Sequence, residues 1–123
     1  MSNILFVFLG GGIGSCARYG ISEVVRSNFK SSFPIATFCS NIISCAILAL
    51  TISYFNEKAA ESQTVRTFII IGICGGFSTF STFSFETVEL IRSGNMVLAI
   101  TNILISVAAC MALIYYLTKT SIN

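Results

Sequence analysis

The fold is decided by residues 75–85, which read Gly-Gly-Phe-Ser-Thr-Phe-Ser-Thr-Phe-Ser-Phe. This stretch lies inside an apolar run long enough to cross a bilayer, yet it contains five hydroxyl side chains: Ser78, Thr79, Ser81, Thr82 and Ser84. Hydroxyl groups at membrane depth are costly unless they face protein, water or a permeating ligand, because lipid offers them no hydrogen-bond partner. We therefore predict that this segment lines the functional site of a membrane protein.

The composition of the chain agrees with a membrane setting. Hydrophobic residues make up 54% of the 123 residues and charged residues 10%, whereas a soluble domain carries about a quarter charged residues. The mean hydropathy is +0.86. A chain of this composition is not expected to stay in solution alone.

Four apolar runs predict four transmembrane helices, at about residues 4–21, 33–55, 67–86 and 95–117. Each run approaches the roughly 20 residues that a helix needs to span about 30 Å of hydrocarbon. No basic residue precedes the first run and Arg18 lies near its C-terminal end, so we interpret this run as a retained helix rather than a signal peptide. We expect an all-α membrane protein with a single domain over residues 1–123, in contact with membrane lipid. Loops are expected at about 22–32, 56–67 and 86–95.

The sequence gives no support for a catalytic metal site or for enzyme activity. It contains no histidine and no aspartate. All five cysteines lie in the predicted spans, and no pair of them has a metal-ligand spacing. We expect them to act as small apolar packing residues: Cys16, Cys39, Cys45, Cys74 and Cys110.

The basic residues are divided almost evenly between the two sides of the predicted bundle. Three would lie on the side of the N-terminus and four on the opposite side. An excess of Lys and Arg on one side sets the orientation of a membrane protein. A difference of one residue sets it only weakly, so the chain could insert in both orientations. An antiparallel homodimer would follow from such insertion, while a fixed orientation set by Arg26 and Lys30 remains the alternative.

The first span contains a glycine pattern that imitates a dinucleotide-binding fingerprint. No alternating strand and helix pattern follows it, so the context for a nucleotide fold is absent, and nothing in the sequence indicates a nucleic acid partner. Gly10 and Gly14 stand four residues apart, the spacing that lets membrane helices approach closely. We interpret them as packing positions.

Polar residues in the other spans suggest a track through the bundle. Asn41 lies near the middle of the second span, where an amide either joins helices or donates N–H groups to an anion. Asn102 and Ser106 are one helical turn apart in the fourth span, and Cys110 continues that stripe. Together with Ser81, Thr82 and Ser84 they offer neutral polar groups and no buried acid, which suits a small anion better than a proton or a cation.

Phe80 and Phe83 are three residues apart on one predicted helix face. A phenylalanine ring has a positive edge because of its quadrupole, so two ring edges could coordinate an anion without a fixed positive charge that would trap it. A phenylalanine in a membrane helix ordinarily packs against lipid or core. Interleaving with hydroxyl groups beside Gly75-Gly76 favours a role in the pathway here.

These motifs strongly resemble the Fluc-type fluoride channels across all four predicted spans. The matching motifs are, in order, Gly10-Gly11-x-x-Gly14-Ser15-x-x-Arg18-Tyr19, Asn41, and Gly72-x-x-Gly75-Gly76-Phe77-Ser78-Thr79-Phe80-Ser81-Thr82-Phe83-Ser84-x-Glu86. The resemblance implies a dual-topology antiparallel homodimer with two fluoride pores in the cell (inner) membrane of a microbe. Such a multi-pass protein would export cytoplasmic fluoride passively.

Carried over to this sequence, the resemblance implies that Phe80 and Phe83 line the fluoride pathway, with Asn41 and Ser81 donating hydrogen bonds to the ion. It implies further that the third helix is broken at about residues 75–78, where main-chain carbonyls of Gly75 and Ser78 in both subunits hold a structural sodium ion. Glycine at position 75 would permit the backbone angles of that turn. Arg18 would belong to the packing or vestibule region beside the glycines of the first span.

The sequence also departs from the family pattern. Ala36-Thr37 and Ser40 replace the Gly-Thr and Val usual before the second-span asparagine, and Ser44 stands where glycine is frequent. Asn102 replaces a tyrosine common in the fourth span. These changes affect the expected polar lining of the pore.

Two other classes of protein remain as alternatives. A small multidrug-resistance-type transporter is also a short four-helix protein, but it needs a carboxylate in the first span to exchange protons for cationic drugs, and none is present. A structural subunit of a larger membrane complex would conduct no ions.

Overall fold

The computed structural model describes residues 2–57 and 63–122, and these residues are almost entirely helical. The elements in chain order are α1 (Ser2–Asn28), α2 (Ile35–Glu57), α3 (Gln63–Thr67), a π-helical segment (Phe68–Cys74), α4 (Gly75–Phe77), α5 (Phe80–Arg92) and α6 (Met96–Ile122). The part of the chain that the structure describes contains no β-strand.

Four helical runs among the described residues are long and apolar enough to cross a membrane. They are Asn3–Asn28, Ile35–Phe55, Gln63–Arg92 and Met96–Lys119. The third run consists of α3, the π-helical segment, α4 and α5 in succession. The prediction of four such helices is confirmed.

The predicted loops after the first and third spans are wrong in part, because α1 and α5 continue well past residues 21 and 86. An ion pair between side chains three residues apart lies near each helix end: Arg26 is 2.8 Å from Glu23, and Arg92 is 3.7 Å from Glu89. The basic member of each pair lies in the last turn, where the helix dipole favours positive charge. Polar residues therefore prolong both helices beyond their apolar spans.

The second predicted loop, at residues 56–67, falls partly on residues outside those described, and its final part forms α3. The turn between α5 and α6 is closed by Gly94, whose φ of 87° is the positive value that glycine adopts without strain. The N–H of Asn95 donates to the Leu90 carbonyl (2.8 Å) and that of Gly94 to the Ile91 carbonyl (3.1 Å). This pair of bonds is the Schellman pattern that ends a helix sharply.

Close backbone contact joins α1 to the first half of the third run. A Cβ on Gly10 would lie 2.6 Å from the Phe68 carbonyl oxygen, and a Cβ on Gly14 would overlap the Ile73 carbonyl. Gly76 meets α1 in the same way, because a Cβ there would overlap the Gly11 carbonyl. Only residues without side chains let the two helices approach this closely.

The third run is interrupted between α4 and α5. Ser78 (φ −83°, ψ 157°) and Thr79 (φ −152°, ψ 116°) both have extended backbone. Gly75 keeps helical angles (φ −63°, ψ −36°). The expectation that Gly75 supplies the backbone angles of the turn is therefore wrong, since the non-helical residues follow it and are not glycines.

The described chain leaves much of its apolar surface uncovered. Among the residues whose side chains the structure describes, only five apolar side chains are buried: Ala49, Cys74, Phe77, Leu90 and Ala99. Many large apolar side chains are open on α1 and α6, among them Phe8 (74% exposed) and Val97 (77% exposed). A surface of this kind suits contact with hydrocarbon or with another apolar protein surface.

Candidate functional site

The interruption of the third run is held by an asparagine on a different helix. The Thr79 N–H donates to Oδ1 of Asn41 (2.9 Å), and Nδ2 of Asn41 lies 3.5 Å from the Thr79 carbonyl oxygen. The amide of Asn41 thus substitutes for the backbone partners that Thr79 would have in a continuous helix. Such compensation is needed because a peptide group without partners at membrane depth costs several kcal/mol.

Serine and threonine hydroxyls satisfy the backbone on both sides of the interruption. The Cys74 carbonyl accepts from the N–H of Ser78 (3.0 Å), from the Ser78 hydroxyl (2.8 Å) and from the Ser44 hydroxyl (3.0 Å). Oγ1 of Thr79 accepts from the Thr82 N–H (3.1 Å), which makes Thr79 the N-cap of α5. Part of the hydroxyl run is therefore used to close the ends of two helices.

A cavity of about 300 Å³ opens beside the interruption. Four elements contribute to it: α2, the interruption itself, α5 and α6. Its lining residues are Asn41, Cys45, Ser78, Thr79, Phe80, Phe83, Ser106, Val107, Cys110 and Met111. None of these residues is charged, so the cavity combines apolar walls with a few neutral polar groups.

Both predicted pathway phenylalanines line this cavity. The ring centroids of Phe80 and Phe83 are 5.9 Å apart and the ring planes are inclined by 37°. Phe80 is 79% exposed, so its ring stands at the open side of the cavity, while Phe83 is half-buried. The structure thus brings together Phe80, Phe83, Asn41 and Ser106.

A hydrogen-bonded chain of side chains runs behind the cavity from α6 to α5. Ser106 donates to Oδ1 of Asn102 (3.1 Å), and Nδ2 of Asn102 donates to Oγ1 of Thr87 (2.9 Å). The Thr87 hydroxyl in turn donates to the Phe83 carbonyl (2.8 Å). Asn102 is only 1% exposed and does not line the cavity, so it lies behind the predicted track and links Ser106 to the helix that holds Phe83.

Thr87 was missed by the sequence reasoning. The predicted hydroxyl run ends at Ser84, although Thr87 stands one helical turn beyond Phe83, a spacing at which a hydroxyl reaches the carbonyl of the preceding turn. Two buried oxygens likewise had no assigned role: Oγ of Ser40 and Oε1 of Glu86 have no hydrogen-bond partner within the described ranges.

Three predicted pathway residues lie on α5 but not in the cavity wall. Ser81 is exposed, and its hydroxyl lies 3.4 Å from that of Thr79. Thr82 and Ser84 are half-buried, and the cavity lining does not include them. Within one chain, these three residues therefore do not line the cavity that contains Asn41 and Ser106.

Arg18 joins the same region from α1. Its Nε donates to the Gly76 carbonyl (3.1 Å), immediately before the interruption. With Gly10 and Gly14 on the same helix, it fixes α1 against the π-helical segment and α4.

The interruption removes the usual helical donors from the carbonyl groups of residues 75–78, including those of Gly75 and Ser78. In a continuous helix the Thr79 N–H would donate to the Gly75 carbonyl and the Thr82 N–H to the Ser78 carbonyl. Here these N–H groups donate instead to Asn41 and to the Thr79 side chain. Gly75 and Ser78, the residues named for a sodium site, are thus among the residues whose carbonyls lose their helical donors.

Four membrane-crossing helices and an uncharged cavity beside a mid-span interruption define a small multi-pass membrane protein. The chain belongs to the family described as CrcB-like protein, Camphor Resistance (CrcB), which matches residues 5–117. The family resemblance expected from the sequence is confirmed.

Curated relatives cover nearly the whole chain. A protein of Citrifermentans bemidjiense named fluoride-specific ion channel FluC is 40% identical over 111 residues, which is 90% of this chain and 90% of the relative. Proteins of the same name from Flavobacterium psychrophilum (38% over 107 residues, 87% of this chain and 86% of the relative) and Coxiella burnetii (39% over 111 residues, 89% and 90%) are similar.

Proposed function

We propose that this chain forms a fluoride-selective channel that lets cytoplasmic fluoride leave the cell passively. The observation that carries the proposal is the uncharged cavity at the start of α5, where Phe80, Phe83 and Asn41 meet, in a chain whose relatives are named fluoride-specific ion channels. A channel of this kind is not an enzyme. We place it in the cell (inner) membrane.

The electrostatics of the cavity favour a small anion. The N-terminus of α5 begins at the cavity, and the first N–H groups of a helix together with its dipole attract negative charge. The positive ring edges of Phe80 and Phe83 add to this attraction. Since no Lys or Arg lines the cavity, an anion would be attracted without being held too tightly to leave.

Asn41 is the best hydrogen-bond donor for the ion. Its side-chain amide has two N–H bonds, and the contact with Thr79 uses at most one of them. The hydroxyl of Ser106 has one hydrogen, which is donated to Asn102. Ser106 would therefore donate to an ion only by turning away from Asn102, so we assign it a weaker role.

We propose that two chains in opposite orientations complete the pathway. The single chain leaves the Phe80 ring 79% exposed at the mouth of the cavity and keeps Ser81 outside it. An antiparallel partner would cover these groups and bring Ser81, Thr82 and Ser84 towards a second copy of the same site. The almost even division of Lys and Arg supports insertion in both orientations, and we regard the interrupted third helix as part of this dimeric channel.

We further propose a structural sodium ion held by the main-chain carbonyls of Gly75 and Ser78. Both carbonyls lack their helical donors, and neutral oxygens suit a hard monovalent cation. The described residues contain no cluster of three or more Cys or Glu side chains that would hold a divalent ion. Replacing sodium by a large organic cation should lower the melting temperature of the purified dimer, and indifference to this exchange would contradict the sodium site.

Fluoride efflux from liposomes tests the function. Purified protein in vesicles loaded with potassium fluoride should release fluoride when a potassium ionophore balances charge, and a proton gradient should not be required. The multidrug-transporter alternative, which the relatives do not favour, predicts no fluoride release and proton-coupled movement of a cation instead. A structural subunit predicts no ion movement at all.

A further inference from the structure

Two cysteines from different helices line the same cavity. Cys45 lies on α2 and Cys110 on α6, and both line the cavity that contains Phe83 and Ser106. The two side chains are close enough to interact with each other. Both thiols are free and partly accessible. The two cysteines are far apart in the sequence, so the metal-ligand spacings of short motifs do not predict the pair.

We propose that Cys45 and Cys110 form a two-thiol site for a soft divalent metal ion of linear coordination, for which mercury(II) is the probe, and that occupation of this site blocks the cavity. The blocking part of this proposal rests on the proposed function. The binding part does not.

The chemistry of the pair selects the class of metal. Each thiol releases its proton to water and its sulfur replaces one water or chloride ligand of the metal ion, so no electron is transferred. Two thiolate charges balance a divalent ion and leave a neutral complex, which suits membrane depth. A monovalent soft ion would leave one negative charge there. Zinc prefers four protein ligands, and no group of three or more Cys or Glu side chains exists among the described residues.

The position of the pair explains the expected block. A metal held between Cys45 and Cys110 would lie in the wall of a cavity of only about 300 Å³ that also holds Phe83 and Ser106. The two S–metal bonds would also tie α2 to α6, which pack against each other along their length. The ion would therefore narrow the cavity and stiffen its wall together.

The other cysteines provide matched controls. Cys16 is exposed on α1 and lines a separate cavity, while Cys39 and Cys74 line neither of these cavities. Cys16→Ser is therefore a substitution of the same chemistry outside the pair.

Mercury(II) binding to purified protein tests the site without reference to fluoride. Titration followed by the ultraviolet absorption of mercury–thiolate bonds should show one tight two-thiol site per chain in the wild type and in Cys16→Ser, and none in Cys45→Ser or Cys110→Ser. In the wild type, one equivalent of mercury(II) should protect Cys45 and Cys110 together from maleimide, as read by peptide mass spectrometry. Protection of other cysteines, or tight binding retained in the Cys45→Ser/Cys110→Ser protein, would overturn the site.

Fluoride efflux tests the block, with each variant compared with its own flux before addition of metal. Half-maximal block should need roughly a hundredfold more mercury(II) in either single variant of the pair, because the second thiol no longer binds at high effective concentration. A chelating dithiol should restore flux in the wild type. Tight binding at the pair without block would overturn the blocking role. If wild-type vesicles release no fluoride, the proposed function fails while the binding measurement still decides the metal site.

Discussion

At the scale of the residue, Asn41 connects the structure of the interruption with the chemistry of the cavity. Its carbonyl oxygen accepts the Thr79 N–H at 2.9 Å, so it stabilises the extended backbone that starts α5 at the cavity. The same amide retains an N–H for an anion. The sequence alone left open whether Asn41 joins helices or faces an anion. Its contact with Thr79 and its place in the cavity wall are compatible with both roles.

The two cavity phenylalanines should be needed for flux. Phe80→Ala and Phe83→Ala remove ring edges from the cavity and should each lower fluoride efflux by at least roughly tenfold, equivalent to about 1.4 kcal/mol in the barrier. Phe85→Ala is the matched control, because Phe85 lies on the same helix, is 65% exposed and does not line the cavity. Fluoride-electrode recordings from liposomes give the rates.

Phe83→Leu tests whether flux depends on the aromatic ring or only on the volume of the side chain. Leucine keeps an apolar side chain in the cavity but has no quadrupole, so flux should fall almost as far as with alanine. Normal flux in Phe83→Leu would assign the effect to packing and remove the ring edge from the mechanism.

Asn102 should matter chiefly for stability. Asn102→Ala leaves the Ser106 hydroxyl and the Thr87 hydroxyl without their buried partner, which should cost about 1–3 kcal/mol. The neighbouring Thr101→Ala should change stability by less than about 0.5 kcal/mol, as is usual for sites outside such networks. Melting temperatures of the purified proteins measure both changes in stability. Equal melting temperatures in the two variants would show that the chain behind the cavity does not stabilise the fold.

At the scale of the element, hydrophobicity predicted the four helices but not their ends. The apolar runs are long enough that any non-helical course would leave many peptide groups unsatisfied in lipid, so four spans could be read from sequence. The continuation of α1 and α5 beyond those runs involves polar residues, with ion pairs such as that between Glu23 and Arg26 near the helix ends. These residues suggest a loop when composition alone is considered.

The packing of α1 on the third run gives a direct test of the glycine interface. Gly14→Ala would force a Cβ into the Ile73 carbonyl, and a backbone neighbour cannot rotate away. We expect a loss of about 2 kcal/mol or more, seen as a lower melting temperature. Gly12→Ala is the matched control on the same helix, since a Cβ there meets nothing within 4 Å.

Gly12→Ala should be neutral or slightly stabilising, because alanine is the better helix former. If Gly14→Ala were equally well tolerated, the close approach of α1 to the third run would not contribute to stability.

The sequence predicted which residue types form the site but not how they are arranged. Phe80, Phe83 and Asn41 could be named from the residue types and from the family resemblance, and all three line one cavity. Their arrangement depends on a contact between Asn41 and Thr79 on separate elements, which local patterns do not encode. The sequence also did not reveal that two members of the hydroxyl run bond to the backbone, since Thr79 caps α5 and the Ser78 hydroxyl donates to the Cys74 carbonyl.

At the scale of the whole molecule, the single chain leaves much of its apolar surface uncovered. Many of its large apolar side chains are exposed, and Phe80, which lines the cavity, is 79% exposed. In the dimer that we propose, an antiparallel partner would cover this surface, and the almost even division of basic residues permits insertion in both orientations.

Orientation should respond to a small change in charge. A pair of lysines added to the C-terminal tail should bias insertion to one face and suppress fluoride efflux from cells expressing that variant alone. Co-expression with a variant biased to the opposite face, by basic residues added to the turn between α5 and α6, should restore efflux. Full activity of the first variant on its own would contradict the antiparallel dimer.

The reversal potential of the purified protein in a planar bilayer tests the central claim most directly. With fluoride on both sides at a tenfold gradient and chloride present equally, a fluoride-selective channel should reverse near the fluoride equilibrium potential of about 59 mV in magnitude. The sign should invert when the fluoride gradient is inverted, and a chloride gradient alone should leave the reversal potential near zero. A reversal potential that follows chloride, or the absence of any fluoride current, would contradict the account.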